Sequence, residues 1–165
     1  MKKIQIAIMM GSKSDLPVME EAAKILKDFH VGYEMRVLSA HRTPRETAEY
    51  AEGLRAGGVR VVICGAGGSA ALAGTVAAHT TLPVIGVPVD SSPLNGLDAL
   101  LSTAQMPPGV PVGCVAIGHQ GAKNAALLAL RILSVSDEGI ARKLDAFKDK
   151  QREEILKIKL HSATP

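Results

Sequence analysis

Residues 4–15 read IQIAIMMGSKSD. Ile4, Ile6 and Ile8 mark a strand, and the segment is apolar enough to lie inside a sheet covered on both faces. Glycine and hydroxyl residues then turn the chain. Asp15 is placed to cap a helix with Pro17 in its first turn and Glu20 and Glu21 near its positive end. Val18, Ala22, Ile25, Leu26 and Phe29 follow at helical spacing.

This strand–turn–helix unit recurs. Gly32 precedes a second strand, Tyr33–Leu38. Thr43-Pro44-Arg45-Glu46 has the form of a capping box with proline at the first helical position, and the helix it opens is expected to stop at Gly57-Gly58. Val59–Cys64 is a third strand, followed by GAGGSA and a small-residue helix to about His79, which is read as a C-terminal cap. Pro83 precedes a fourth strand, Val84–Val87. Residues 88–111 hold five prolines around a short helix near Leu97–Thr103. Val112–Ile117 is a fifth strand and Ala122–Leu133 an apolar helix. Ser136-Asp137 caps a last, charged helix with Ile140, Leu144, Phe147 and Ile155 on one stripe.

Five β-α units joined by short connections predict a parallel sheet with helices on both faces. The expected fold is α/β: a flavodoxin-like three-layer sandwich with a five-stranded parallel sheet, order 2-1-3-4-5, and an extra C-terminal helix. Residues 1–135 form the expected flavodoxin-like domain and 136–165 a C-terminal helical arm of the same domain.

The chain has 165 residues, 47% hydrophobic and 21% charged, which suits one folded domain and excludes a disordered chain. Aromatics are scarce (Phe29, Tyr33, Tyr50 and Phe147, with no Trp), which argues against stacking a base or flavin on a row of rings. A net charge of +3 from 19 basic and 16 acidic residues is nearly balanced and without basic runs, so no nucleic-acid partner is expected. Cys64 and Cys114 sit in apolar runs and read as buried small hydrophobes in a reducing compartment. The apolar segment after Met1-Lys2-Lys3 is too short for a signal peptide, and no run is long enough to span a membrane. The expectation is a cytoplasmic protein with no membrane partner. Between residues 61 and 136 the only charges are Asp90, Asp98, Lys123 and Arg131. Charged residues are depleted from the cores of interfaces, so a homo-oligomer burying this middle stretch is expected.

In such sheets ligands bind beyond the carboxyl ends of the strands. With strands two, one and three adjacent, the loops GSKSD, SAHRTP and GAGGSA converge there. Glycine and hydroxyls before a helix suit an anion or polyol. Asp15 is suited to ribose hydroxyls, although a cap alone would explain it. Arg42 is suited to bidentate phosphate binding, although it also reads as a surface residue. The GAGG stretch lets a ligand approach the main chain, but it fits neither GxGxxG nor the P-loop spacing. His41 is the only histidine in these loops, and histidine suits proton transfer near neutral pH. His119, after strand five, is a second candidate; His30 and His161 read as surface residues. No His or Cys pair has metal-ligand spacing, so no metal is expected, and no GxSxG elbow or loop cysteine offers a nucleophile.

GSKSD, SAHRTP, GAGG, PVIGVPV, SSPLNGLDALLSTAQMPPGVPVG and KNAALLA, in this order, closely resemble the class I N5-carboxyaminoimidazole ribonucleotide mutases of purine biosynthesis. That family is also described as the catalytic subunit of phosphoribosylaminoimidazole carboxylase. The match runs from about Ile4 to Leu133. The resemblance implies a homo-octamer with sites at subunit junctions and no metal or organic cofactor. It implies that Ser12, Asp15 and Arg42 bind the ribonucleotide and that His41 is the general acid/base moving a carboxyl group from the exocyclic nitrogen to ring carbon C4. The wider candidate substrate-binding set is Gly11, Ser12, Ser14, Asp15, Ser39, Ala40, Arg42, Ala66, Gly67, Gly68 and Leu72. The family commonly reads GAGGAAHLPG where this chain reads GAGGSAALAG, so Ala71 replaces a usual histidine and Ala73 a usual proline. The alternatives are the related class II carboxylase, which uses carbon dioxide directly, and a non-enzymatic flavodoxin-like nucleotide- or flavin-binding module. SAHRTP and QMPPGVPVG favour the mutase.

Overall fold

The computed structural model describes residues 3–160. Five strands, β1 (Ile4–Met10), β2 (Gly32–Val37), β3 (Val61–Gly67), β4 (Val84–Val89) and β5 (Gly113–Cys114), form one sheet in the order β2-β1-β3-β4-β5. Every neighbouring pair is parallel. The helices are α1 (Leu16–Asp28), α2 (Pro44–Gly53), α3 (Leu72–Ala78), α4 (Leu97–Ala104), α5 (Gly118–Ser134) and α6 (Glu138–Leu156). This is the flavodoxin-like arrangement expected from the alternation of units.

Successive strand side chains point to opposite faces, so each central strand feeds two cores. Ile6, Ile8, Met10, Val61, Ile63, Ile85 and Val87 pack with α1, α5 and the start of α6. Ala7, Met9, Val62, Cys64 and Val84 pack on the other face with residues of α2 and α3. The apolar stripes of α1 (Val18, Met19, Ala22, Leu26) and α5 (Ala122, Ala125, Ala129, Leu133) explain why these helices lie side by side on one face.

Several boundaries differ from the sequence reading. The helix after Thr43 ends at Gly53, and turns carry the chain to Gly58, whose φ of +91° ends the connection. Thr43 makes no capping bond with its side chain. Its hydroxyl instead donates to the Ser39 carbonyl (3.1 Å) and accepts the Ser39 N–H (2.9 Å), closing the loop before the helix. β3 continues through Gly65-Ala66-Gly67, because β4 pairs with it as far as Val89. β5 shrinks to two residues at the sheet edge. α5 starts at Gly118 rather than Ala122, entered through a glycine at φ +70°. A Cβ at Gly121 would overlap the carbonyl oxygen of Ala116, so the first turn of α5 crosses the strand exit at backbone distance.

Asp137 caps α6 by accepting the Ile140 N–H at 3.1 Å. Ile140 and Leu144 are buried, and Phe147 meets Phe29 edge-on at a centroid distance of 5.8 Å. The stripe stops there: Ile155 is 67% exposed. Cys114 is half-buried, unlike the fully buried Cys64. His161 lies outside the described residues.

The glycine contacts predict opposite outcomes for one methyl group. Gly121→Ala should destabilise the fold by about 1–3 kcal/mol through overpacking. Gly53→Ala, at the end of α2 with nothing near the added carbon, should stabilise it by about 0.4–1 kcal/mol. Chemical denaturation midpoints of the two variants check this.

Candidate active site

Four strand ends supply the site. At the end of β1, Gly11 N–H donates to the Gly65 carbonyl at 3.1 Å, tying the first loop to β3. Ser12 accepts from the Ser14 amide (3.3 Å) and hydroxyl (2.9 Å), while its own N–H donates to Asp15 Oδ2 at 3.0 Å. These reciprocal bonds form a capping box around the short 3-10 turn Lys13–Asp15. Ser12 is therefore the side-chain cap, a correction to the expected role of Asp15. Asp15 starts α1 without capping it through its side chain. Its carboxylate is buried (3% exposed) and faces back toward the loop.

Burial pushes the Asp15 pKa up, opposed by the Ser12 N–H, the Ser14 hydroxyl and the charge of Arg42. At the end of β2, the closed Ser39–Thr43 loop presents His41 and Arg42 at the surface. Arg42 Nη2 donates to the Gly11 carbonyl at 2.7 Å, and Nε to Ser39 Oγ at 3.3 Å. The guanidinium thus bridges the first two loops through neutral oxygens. Among the described residues it forms no ion pair within 4.0 Å, which leaves its charge available to a phosphate.

These loops enclose a cavity of about 340 Å³. It is lined by Gly11, Ser12, Ser14, Asp15, Ser39, Ala40, His41, Arg42, Ala66, Gly67, Ser69, Ala71, Leu72 and Ser91. Gly68, at φ +60°, turns the chain without lining the cavity. His119 lies in the first turn of α5, away from it. Ser91, at the exit of β4, was not anticipated. Its signal was the strand order itself: β4 neighbours β3, so its exit loop joins the same edge.

A larger cavity of about 760 Å³ lies at the opposite edge, where α2 and α3 end, and holds the His79–Glu52 pair (3.1 Å). It gathers none of the loops at the carboxyl ends of the strands. Burial pushes both cysteine thiols up, away from the reactive thiolate form. Among the described residues no three His, Cys, Asp or Glu side chains are grouped to hold a metal, and no helix is long and apolar enough to cross a membrane.

Fold and site together define an α/β protein of flavodoxin-like topology with a polar cavity beyond its strand ends and no aromatic side chain in the cavity lining. Residues 5–154 match the sequence model of the family described as AIR carboxylase, and the chain belongs to that family. It is 58% identical to the N5-carboxyaminoimidazole ribonucleotide mutase of Pyrococcus abyssi over 88% of this chain and 82% of that protein. It is 54% identical to the mutase of Bacillus subtilis, over 92% and 93%. The crystal structure of Treponema denticola PurE superposes with a TM-score of 0.84 at 33% identity, covering 92% of this chain and 94% of that one.

Asp15 gives a pH test. Its folded-state pKa is raised, so the ionised carboxylate costs stability that is recovered as pH falls through the folded-state value. Asp15→Asn keeps an acceptor for the Ser12 N–H and removes the charge. The variant should melt higher than the parent at pH 7.5, with the gap closing toward pH 4. Thermal melts at both pH values measure the gap.

Proposed function

We propose that this protein is an N5-carboxyaminoimidazole ribonucleotide mutase of purine biosynthesis, an isomerase that moves a carboxyl group from the exocyclic nitrogen to C4 of the imidazole. The observation that carries the reading is one cavity lined by a buried carboxylate, an arginine bound only to neutral oxygens, and an exposed histidine. High identity to mutases along most of the chain supports the same chemistry.

Arg42, Ser12 and Ser39 hold the phosphate end, where a guanidinium and hydroxyls give charge-assisted hydrogen bonds. Asp15 accepts from the ribose hydroxyls. The main chain at Ala66-Gly67 faces the carboxyl group. His41 donates a proton to the exocyclic nitrogen as the nitrogen–carboxyl bond breaks and carbon dioxide is released within the site. C4 attacks the carbon dioxide, the new carbon–carbon bond forms, and His41 takes the C4 proton, restoring its starting state. Acid–base catalysis of this kind contributes about 10²–10⁴-fold, and positioning and exclusion of water supply the rest. No step requires a metal or organic cofactor.

The working form is a homo-octamer in the cytoplasm, with sites at subunit junctions. Leu94, Leu97 and Leu101, in and before α4, are 60%, 52% and 50% exposed on the single chain. They fall within the charge-poor middle, as an interface core requires. Light scattering should find a species eight times the 17.2 kDa chain; a monomer at micromolar concentration would overturn the assembly.

The function is tested by substrate choice. Turnover of the N-carboxylated ribonucleotide without added carbon dioxide or bicarbonate is expected. Activity only with aminoimidazole ribonucleotide plus carbon dioxide would assign the carboxylase reaction instead. His41→Asn should abolish turnover while keeping nucleotide affinity, and Arg42→Ala should weaken the ribonucleotide far more than its nucleoside, both read by calorimetry and assay.

A further inference from the structure

The polar side chains of the cavity divide into two groups. Ser12, Ser14, Asp15, Ser39 and Arg42 are all held by hydrogen bonds within the protein. Among the described residues, His41, Ser69 and Ser91 find no side-chain hydrogen-bond partner. Groups of the second kind can bond a ligand without first breaking a bond to the protein.

Ser91 stands apart within this second group. Its hydroxyl occupies the space over Gly67 that a side chain at 67 would fill: a Cβ there would overlap Ser91 Oγ and lie 3.1 Å from the Val89 carbonyl. β3 and β4 are paired through Gly67 and Val89, so Ser91 lies two residues past the last paired residue. The missing Cβ at 67 thus admits a hydroxyl from the next strand to the wall where main chain faces the ligand.

We propose that Ser91 is a substrate-binding residue whose hydroxyl donates a hydrogen bond to the carboxyl group being transferred, beside Gly67. This rests on the mutase reading above. Arg42 and Asp15 lie on the β1 and β2 side of the cavity and take the phosphate and ribose. Ser91 lies on the β3 and β4 side, where the imidazole and its carboxyl group are left to bind. Removing a hydrogen bond to a charged group costs about ten- to hundredfold in affinity.

The test is the preference of the protein for the 4-carboxylated ribonucleotide over aminoimidazole ribonucleotide, measured by calorimetry and beside kcat/KM. Ser91→Ala should lower affinity for the carboxylated ligand and kcat/KM by roughly tenfold to a hundredfold, with affinity for the uncarboxylated ligand unchanged. Ser91→Thr, which retains the hydroxyl, should restore most of the loss. Gly67→Ala, by displacing the Ser91 hydroxyl, should reproduce it. A Ser91→Ala variant that keeps the parent's preference, or weakens both ligands equally, overturns the assignment. A parent that shows no preference for the carboxylated ligand also overturns the assignment, whereas a parent that fails to turn over the N-carboxylated ribonucleotide removes the mutase reading and takes the role of Ser91 with it.

Discussion

β1 pairs in parallel with β2 on one side and β3 on the other, and the rest of the molecule is arranged around that double pairing. Parallel strands end at one edge, so the loops that follow must turn there together. Two backbone bonds extend the pairing past the strands. Leu38 N–H reaches the Met10 carbonyl at 2.9 Å, and Gly11 N–H the Gly65 carbonyl at 3.1 Å. They bring the GSKSD loop level with its neighbours before any side chain acts. Arg42 then crosses from the β2 loop to the Gly11 carbonyl, a clasp that is possible only because the two loops start side by side.

Burying Asp15 is unfavourable, since a carboxylate taken from water needs compensation. The Ser12 N–H, the Ser14 hydroxyl and the nearby Arg42 supply part of it. A ligand offering hydroxyl donors would supply more. The site is thus rigid where it anchors and open where a reaction needs new hydrogen bonds: His41 is exposed at the tip of a loop whose base is locked by Thr43.

The architecture was legible in the chain because period-two apolar runs and helical stripes alternate cleanly. Ile6 and Ile8 against Ala7 and Met9 already assign two buried faces. Most of the pocket was legible for the same reason, since strand order alone makes three loops converge. What was hidden depended on three-dimensional contacts that the residue types alone do not announce. Ser12 and Asp15 exchange roles only because the turn between them is a tight 3-10 coil. Thr43 gives up capping because Ser39 offers both a donor and an acceptor within reach. The early start of α5 follows from Gly121 tolerating the Ala116 carbonyl, which no local propensity encodes. Ser91 opens the SSPLNG stretch, but residue type does not say which serine faces the cavity; its meaning comes from the glycine on the neighbouring strand.

Gly65-Ala66-Gly67 form part of β3, and Ala66 and Gly67 line the cavity, Gly67 with main chain alone. A Cβ at Gly65 would overlap the sulfur of Met19, and one at Gly67 the hydroxyl of Ser91. Side-chain substitution therefore has little room to alter this wall without disturbing the sheet or the pocket. An inhibitor that takes its polar contacts from the backbone amides and carbonyls here would meet a surface that point mutation cannot readily reshape, so resistance would have to arise elsewhere in the molecule.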